Sequence, residues 1–115
     1  MIMHELPATQ AILEKALQKA NEANASRITG LYLVVGEIST YSDESVQFHW
    51  DDISKGTLAE GAVLHFRHVQ TEAQCMSCFT RYHPRDGEIV CPSCGGVGAK
   101  VNAGEEFYME ALDLE

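Results

Sequence analysis

Apolar positions recur along this chain with two different periods, and the periods mark out the elements. Ile12, Leu13, Ala16, Leu17 and Ala20 return at helical spacing, with Glu14, Lys15, Gln18, Lys19 and Glu22 between them. That pattern predicts an amphipathic helix over residues 7–24, opened by Pro7 and leaving through the polar stretch Asn21 to Ser26. Residues 3–6 ahead of it read as a short strand or arm. Residues 28–36 form a near-continuous apolar, β-branched run, the mark of a central strand buried on both faces. Val46, Trp50 and Ile53 follow at i, i+4 and i+7 and predict a second helix. Ser42 and Asp43 are its N-cap candidates, Asp43 and Glu44 put negative charge in its first turn, and Gly56 closes it. Residues 62–70 alternate loosely and residues 106–114 are again strand-like.

Between those last two strands lie Cys75, Cys78, Cys91 and Cys94, the only cysteines in the chain. The arrangement is C-x2-C, a spacer of 12 residues, and C-x2-C. Two such pairs close four soft thiolates around one tetrahedral Zn²⁺ at metal–sulfur distances of about 2.3 Å. Four protein ligands leave no open position, so the expected ion is structural. The segment is too short to bury a stabilising core alone, and zinc binding worth roughly 10–16 kcal/mol makes up that deficit. A disulfide framework and a redox C-x-x-C enzyme both fit less well, because the pairs lie in turn-rich sequence with no leader ahead of the chain.

The expected fold is therefore α+β: a small mixed β-sheet with two helices plus an inserted zinc-ribbon-like module. Residues 1–72, completed by 102–115, would make the α+β domain, and residues 73–101 the zinc-binding module.

Charge narrows the choice of partner. The formal net charge is −9, and filling a tetrathiolate site with Zn²⁺ adds about two more negative units. Such a chain repels phosphate backbones, so nucleic acid is not an expected partner. No apolar run approaches the roughly 18 residues that span a bilayer, so no membrane partner is expected, and a cytoplasmic location is. No Ser–His–Asp set, phosphate-binding glycine loop or carboxylate pair argues for an enzyme. On the cysteines alone, a zinc-ribbon adaptor for protein or nucleic acid remains open.

The order of short motifs narrows the reading further. Met3-His4-Glu5-Leu6 and a helix come first, then Val35-Gly36-Glu37-Ile38-Ser39, then Lys55-Gly56-Thr57 and Glu60-Gly61-Ala62. The paired cysteines follow, and Gly104-Glu105 precedes the final strand. Over essentially its full length the chain resembles the HypA/HybF family, nickel-incorporation accessory proteins of NiFe-hydrogenase and, in some organisms, urease maturation. The resemblance implies a metallochaperone and not an enzyme, with Zn²⁺ held by Cys75, Cys78, Cys91 and Cys94 and Ni²⁺ bound as cargo at His4, with Glu5 a neighbour of that site. It also implies a HypB-type maturation GTPase, the hydrogenase large subunit and urease maturation proteins as partners. The chemistry of His4 agrees with the assignment. Ni²⁺ accepts a square-planar array of nitrogen donors, and imidazole with adjacent backbone amides supplies one. The family pattern opens at Met3-His4-Glu5, two residues into this sequence, which leaves two readings: translation starts at Met3, or His4 and its neighbouring amides bind without the usual terminal amine.

Overall fold

The computed structural model describes residues 5–85 and 89–115. Helix α1 spans Glu5–Glu22, β1 Ile28–Gly36, α2 Asp43–Ile53, β2 Val63–Val69, β3 Glu72–Cys75, β4 Arg81–Tyr82, β5 Ala99–Ala103 and β6 Phe107–Leu114. Two three-stranded sheets result, in the orders β2-β1-β6 and β4-β3-β5. β1 is central in the first, as its apolar run requires. Gly36 N–H reaches Glu106 O and Ser26 N–H reaches Glu115 O, so β6 runs against β1. Tyr32 stacks beside His65 and Glu37 N–H meets Val69 O, so β2 runs with β1 after the crossover through α2. The sheet is mixed, the expected α+β architecture, with the cysteine segment inserted between β2 and β6.

The chain divides into two compact units. The first takes in the chain up to Val34, then Thr40–Arg67 and Phe107–Glu115. The second comprises Val35–Ser39 and His68–Glu106.

The core of the first unit is the one the periodicity picks out. Ile12, Leu13, Ala16 and Ala20 of α1 pack with Leu31 and Leu33 of β1 and with Val46 and Trp50 of α2. Ser42 is the N-cap of α2, its hydroxyl accepting from Ser45 N–H at 3.1 Å. Helix α1 differs from expectation at both ends. It starts two residues before Pro7, at Glu5, so Glu5 and Leu6 are helical instead of an arm. Pro7 is tolerated because the first-turn N–H groups have no intrahelical partner in any case. The helix stops at Glu22 because Asn24 takes the left-handed conformation (φ 53°). Ala25 N–H then bonds to Ala20 O and Asn24 N–H to Asn21 O, a Schellman cap built on asparagine. α2 likewise ends at Ile53 with Ser54 as C-cap, ahead of Gly56.

In the second unit β3 pairs antiparallel with both β4 and β5. Its small core is Ala73, Cys75, Tyr82 and Cys91. Periodicity missed this sheet because strands of four, two and five residues are too short to carry a pattern. Gly36 and Gly104 meet here: a Cβ on Gly36 would lie 2.0 Å from Gly104 O, and one on Gly104 (φ +119°) 2.8 Å from Thr71 Cα. The two glycines of the Val35-Gly36-Glu37 and Gly104-Glu105 motifs are thus required by backbone-to-backbone contact.

Candidate metal centre

Cys75 ends β3, and its chain turns back on itself at once. Cys75 N–H bonds to Thr80 O and Phe79 N–H to Cys75 O, both at 2.9 Å. The second pair repeats the loop: Cys91 N–H bonds to Gly96 O at 2.8 Å and Gly95 N–H to Cys91 O at 2.9 Å. Each loop directs N–H groups at sulfur. Ser77 N–H points to Cys75 Sγ, Ser93 N–H to Cys91 Sγ and Gly96 N–H to Cys94 Sγ, each at 3.4 Å. In both loops the residue after the second cysteine is left-handed. Gly95 (φ +74°) adopts this without penalty, and Phe79 (φ 64°) against its preference.

The two loops bring all four cysteine sulfurs within 4.8 Å of one another. Cys75 Sγ is 3.5 Å from Cys94 Sγ, and Cys78 Sγ 3.6 Å from Cys91 Sγ. A regular tetrahedron with metal–sulfur bonds of about 2.3 Å has sulfur–sulfur edges of about 3.8 Å, so the cluster fits one tetrahedral ion. Cys75 and Cys91, the first of each pair, are buried, while Cys78 and Cys94 form the exposed rim. A Cβ at Gly96 would press to 3.3 Å from Cys94 Sγ, so the missing side chain there lets the cluster close.

Electrostatics shows why a cation belongs here. The Thr80 hydroxyl, 3.2 Å from Cys78 Sγ, and the Thr80 backbone N–H favour the thiolate and hold the Cys78 thiol down to about 6. The N–H groups of Cys78 and Ser77 lower Cys75 as well. At Cys94 the Gly96 N–H acts in the same direction, but the neighbouring sulfurs of Cys75 and Cys78 together with burial outweigh it, and the thiol is pushed up to about 12. Negative charge can spread over part of the cluster, and the last proton stays unless a cation replaces it. Tyr82, raised chiefly by its burial and further by the cysteine charges, donates its hydroxyl to Ile89 O at 2.9 Å beside the cluster.

Comparison with known proteins decides the family. The sequence profile described as "Hydrogenase/urease nickel incorporation, metallochaperone, hypA" matches residues 3–114. The chain belongs to the HypA family. The hydrogenase maturation factor HypA of Dehalococcoides mccartyi strain 195 is 36% identical over 113 residues, covering 98% of this chain and 95% of that protein. HypA of Geobacter sulfurreducens is also 36% identical over 113 residues, covering 98% of this chain and all of its own. The fold is similar to the solution structure of the Ni metallochaperone HypA from Helicobacter pylori, at a TM-score of 0.69, 18% identity and 96% coverage of each chain. A second solution structure of a HypA protein superposes with a TM-score of 0.76 at 19% identity, covering 100% of this chain and 98% of that one.

Of the nickel residues implied by the HypA resemblance, His4 lies outside the described residues. Glu5 is buried in the first turn of α1, where its carboxylate accepts from Ser42 N–H, at the N-cap of α2, at 3.4 Å. It therefore ties the two helix starts together, a contact with no sequence signal. His83 Nδ1 lies 2.8 Å from Thr71 O. His65 stacks on Tyr32 with ring centroids 4.5 Å apart. Glu37 accepts from Thr71 N–H at 3.2 Å, and the hydrogen bonding of Thr71 holds its carboxyl below the usual range. Sequence reasoning missed Thr80 and Phe79. The recurrence of left-handed geometry one residue after each C-x2-C, plain in the second pair as Cys94-Gly95, was the available signal for Phe79.

Proposed function

We propose that this chain is a nickel carrier for hydrogenase maturation in which one ion is permanent and another is cargo. Cys75, Cys78, Cys91 and Cys94 would hold Zn²⁺ and fix the shape of residues 73–101. Residues 1–72, closed by 102–115, would carry the nickel site, with His4 as its anchoring ligand. The match of the HypA profile over residues 3–114 carries this reading.

Local chemistry supports the placement of nickel. Glu5 and Leu6 follow His4 directly in the sequence, in the first described turn of α1, so their backbone amides are the ones next to an imidazole-bound metal. Amides of this kind are the ones a metal can deprotonate beside an imidazole. Glu5 keeps the helix start in place through Ser42 and acts on the site as a neighbour instead of a ligand. Release needs only reprotonation of nitrogen donors, whereas a tetrathiolate exchanges its ion far less readily. Delivery would be ligand exchange to a hydrogenase large subunit, with a maturation GTPase of the HypB type as co-worker and urease maturation proteins as a second route.

Calorimetric titration of nickel into the zinc-loaded protein and its His4→Ala variant tests the assignment. The variant should lose specific nickel binding with unchanged zinc content and circular dichroism. Retention of one-to-one nickel binding by that variant would refute it.

A further inference from the structure

β6 is the last strand of its sheet, and among the described residues no strand pairs with its outer edge. Alongside it runs a groove of about 510 Å³ between β6 and α1. Met109, Glu110, Ala111 and Leu112 all line it. Alternation lapses along this stretch: Met109 and Leu112 both pack against the core, while Glu110 and Ala111 between them are exposed, and the groove lies beside the end strand of its sheet, whose outer edge projects unpaired N–H and C=O groups. Leu114, 39% exposed, extends the apolar floor. The opposite wall carries Lys15 and Lys19, one helical turn apart and both exposed.

The charges around this groove are unequal in their availability. Glu110 is already bound by Arg67 through two contacts of 3.0 Å, and Glu22 accepts from Gln18. Neither lysine is in an ion pair among the described residues. The chain's net charge is −9, but at physiological ionic strength charges more than about 8 Å away are largely screened, so within the groove two lysines stand against Glu22, whose charge the neutral Gln18 amide leaves in place, and the local balance is positive.

We propose that this groove receives an extended, acidic segment of a partner protein, which adds to β6 as a fourth strand. Main-chain hydrogen bonds to the edge would supply affinity, the apolar lining formed by Met109, Leu112 and Leu114 would receive its apolar side chains, and Lys15 and Lys19 would pair with its carboxylates. Self-pairing of two copies through β6 is the competing use, and dilution of the peptide-free protein separates it from the proposal. The proposal does not rest on the nickel reading.

The test uses the zinc-loaded full chain, isotopically labelled, and NMR titration with a capped hexapeptide alternating Glu and Val. Shifts should concentrate in residues 109–114 and 15–23. N-methylating alternate amides along one edge of the peptide should abolish binding, while the same change on the other edge leaves it intact. The double variant Lys15→Glu/Lys19→Glu should weaken binding about tenfold or more and favour a Lys/Val peptide instead. Absence of binding at millimolar peptide, shifts mapping elsewhere, indifference to methylation of either edge, or β6 shifts that follow protein concentration without peptide would each overturn the proposal.

Discussion

Replacing Gly36 by alanine should be among the most damaging single changes in this protein, although it adds only one methyl group. The new Cβ would lie 2.0 Å from Gly104 O and 2.1 Å from Gly104 C, against backbone that has no rotamer to change. Relief requires the two segments to separate by about 1 Å, since unstrained carbon–oxygen contacts lie beyond about 3 Å. Such a shift removes the 2.9 Å bond from Ile38 N–H to Gly104 O and stretches the 2.7 Å bond from Gly36 N–H to Glu106 O past usable length. Losing two backbone hydrogen bonds at about 0.5–1.5 kcal/mol each, on top of about 1–3 kcal/mol of overpacking strain, gives an expected loss of about 2–6 kcal/mol. That is a large share of the 5–15 kcal/mol available to a domain. Gly98→Ala is the control, because nothing lies within 4 Å of its added Cβ and its φ is not positive. It should change stability by less than about 1 kcal/mol. Urea unfolding of zinc-loaded protein, followed by far-ultraviolet circular dichroism, should show the Gly36→Ala midpoint lowered by about 2 M and that of Gly98→Ala nearly unmoved. Equal midpoints for Gly36→Ala and the wild type would refute the close-contact argument.

Three further outcomes are expected. Gly95→Ala should weaken zinc binding about fivefold in chelator competition, because φ +74° costs an L-residue about 1 kcal/mol while the added methyl meets nothing. Zinc binding at pH 7 should release fewer than four protons, since Cys78, held to about 6, is already largely ionised, whereas Cys94, raised to about 12, must give up its proton. Lowering the pH through 6 protonates Cys78 in the free protein, so zinc competes for one more proton, the release count rises and affinity falls more steeply; calorimetry in buffers of different ionisation heat reads the count. Ser42→Ala should cost about 1 kcal/mol by removing the acceptor for Ser45 N–H, as measured by thermal unfolding.

The sequence made the first unit's elements legible because its helices and its central strand are long and one-sided. The burial of Ile12, Leu13 and Ala16 followed from period, as did that of Val46 and Trp50. Helix ends were less legible. The end of α1 depends on Asn24 adopting a left-handed turn, which asparagine permits without requiring. The early start depends on buried Glu5 meeting Ser42, a contact across 37 positions that no local pattern encodes. At the cysteine cluster, spacing announced four ligands but not the hydrogen bonds that tune them, because Thr80 acts on Cys78 through the turn. The reason for Gly36 and Gly104 emerged only from their contact in space.

Elemental analysis of both metals in one sample tests the central claim most directly. Protein expressed with zinc, offered excess nickel and then dialysed against a mild chelator should keep one zinc per chain throughout. It should hold one nickel per chain before the chelator and none after. Displacement of zinc by nickel from the cysteine cluster, or zinc alone at every stage, would contradict the division between a permanent ion and a carried one.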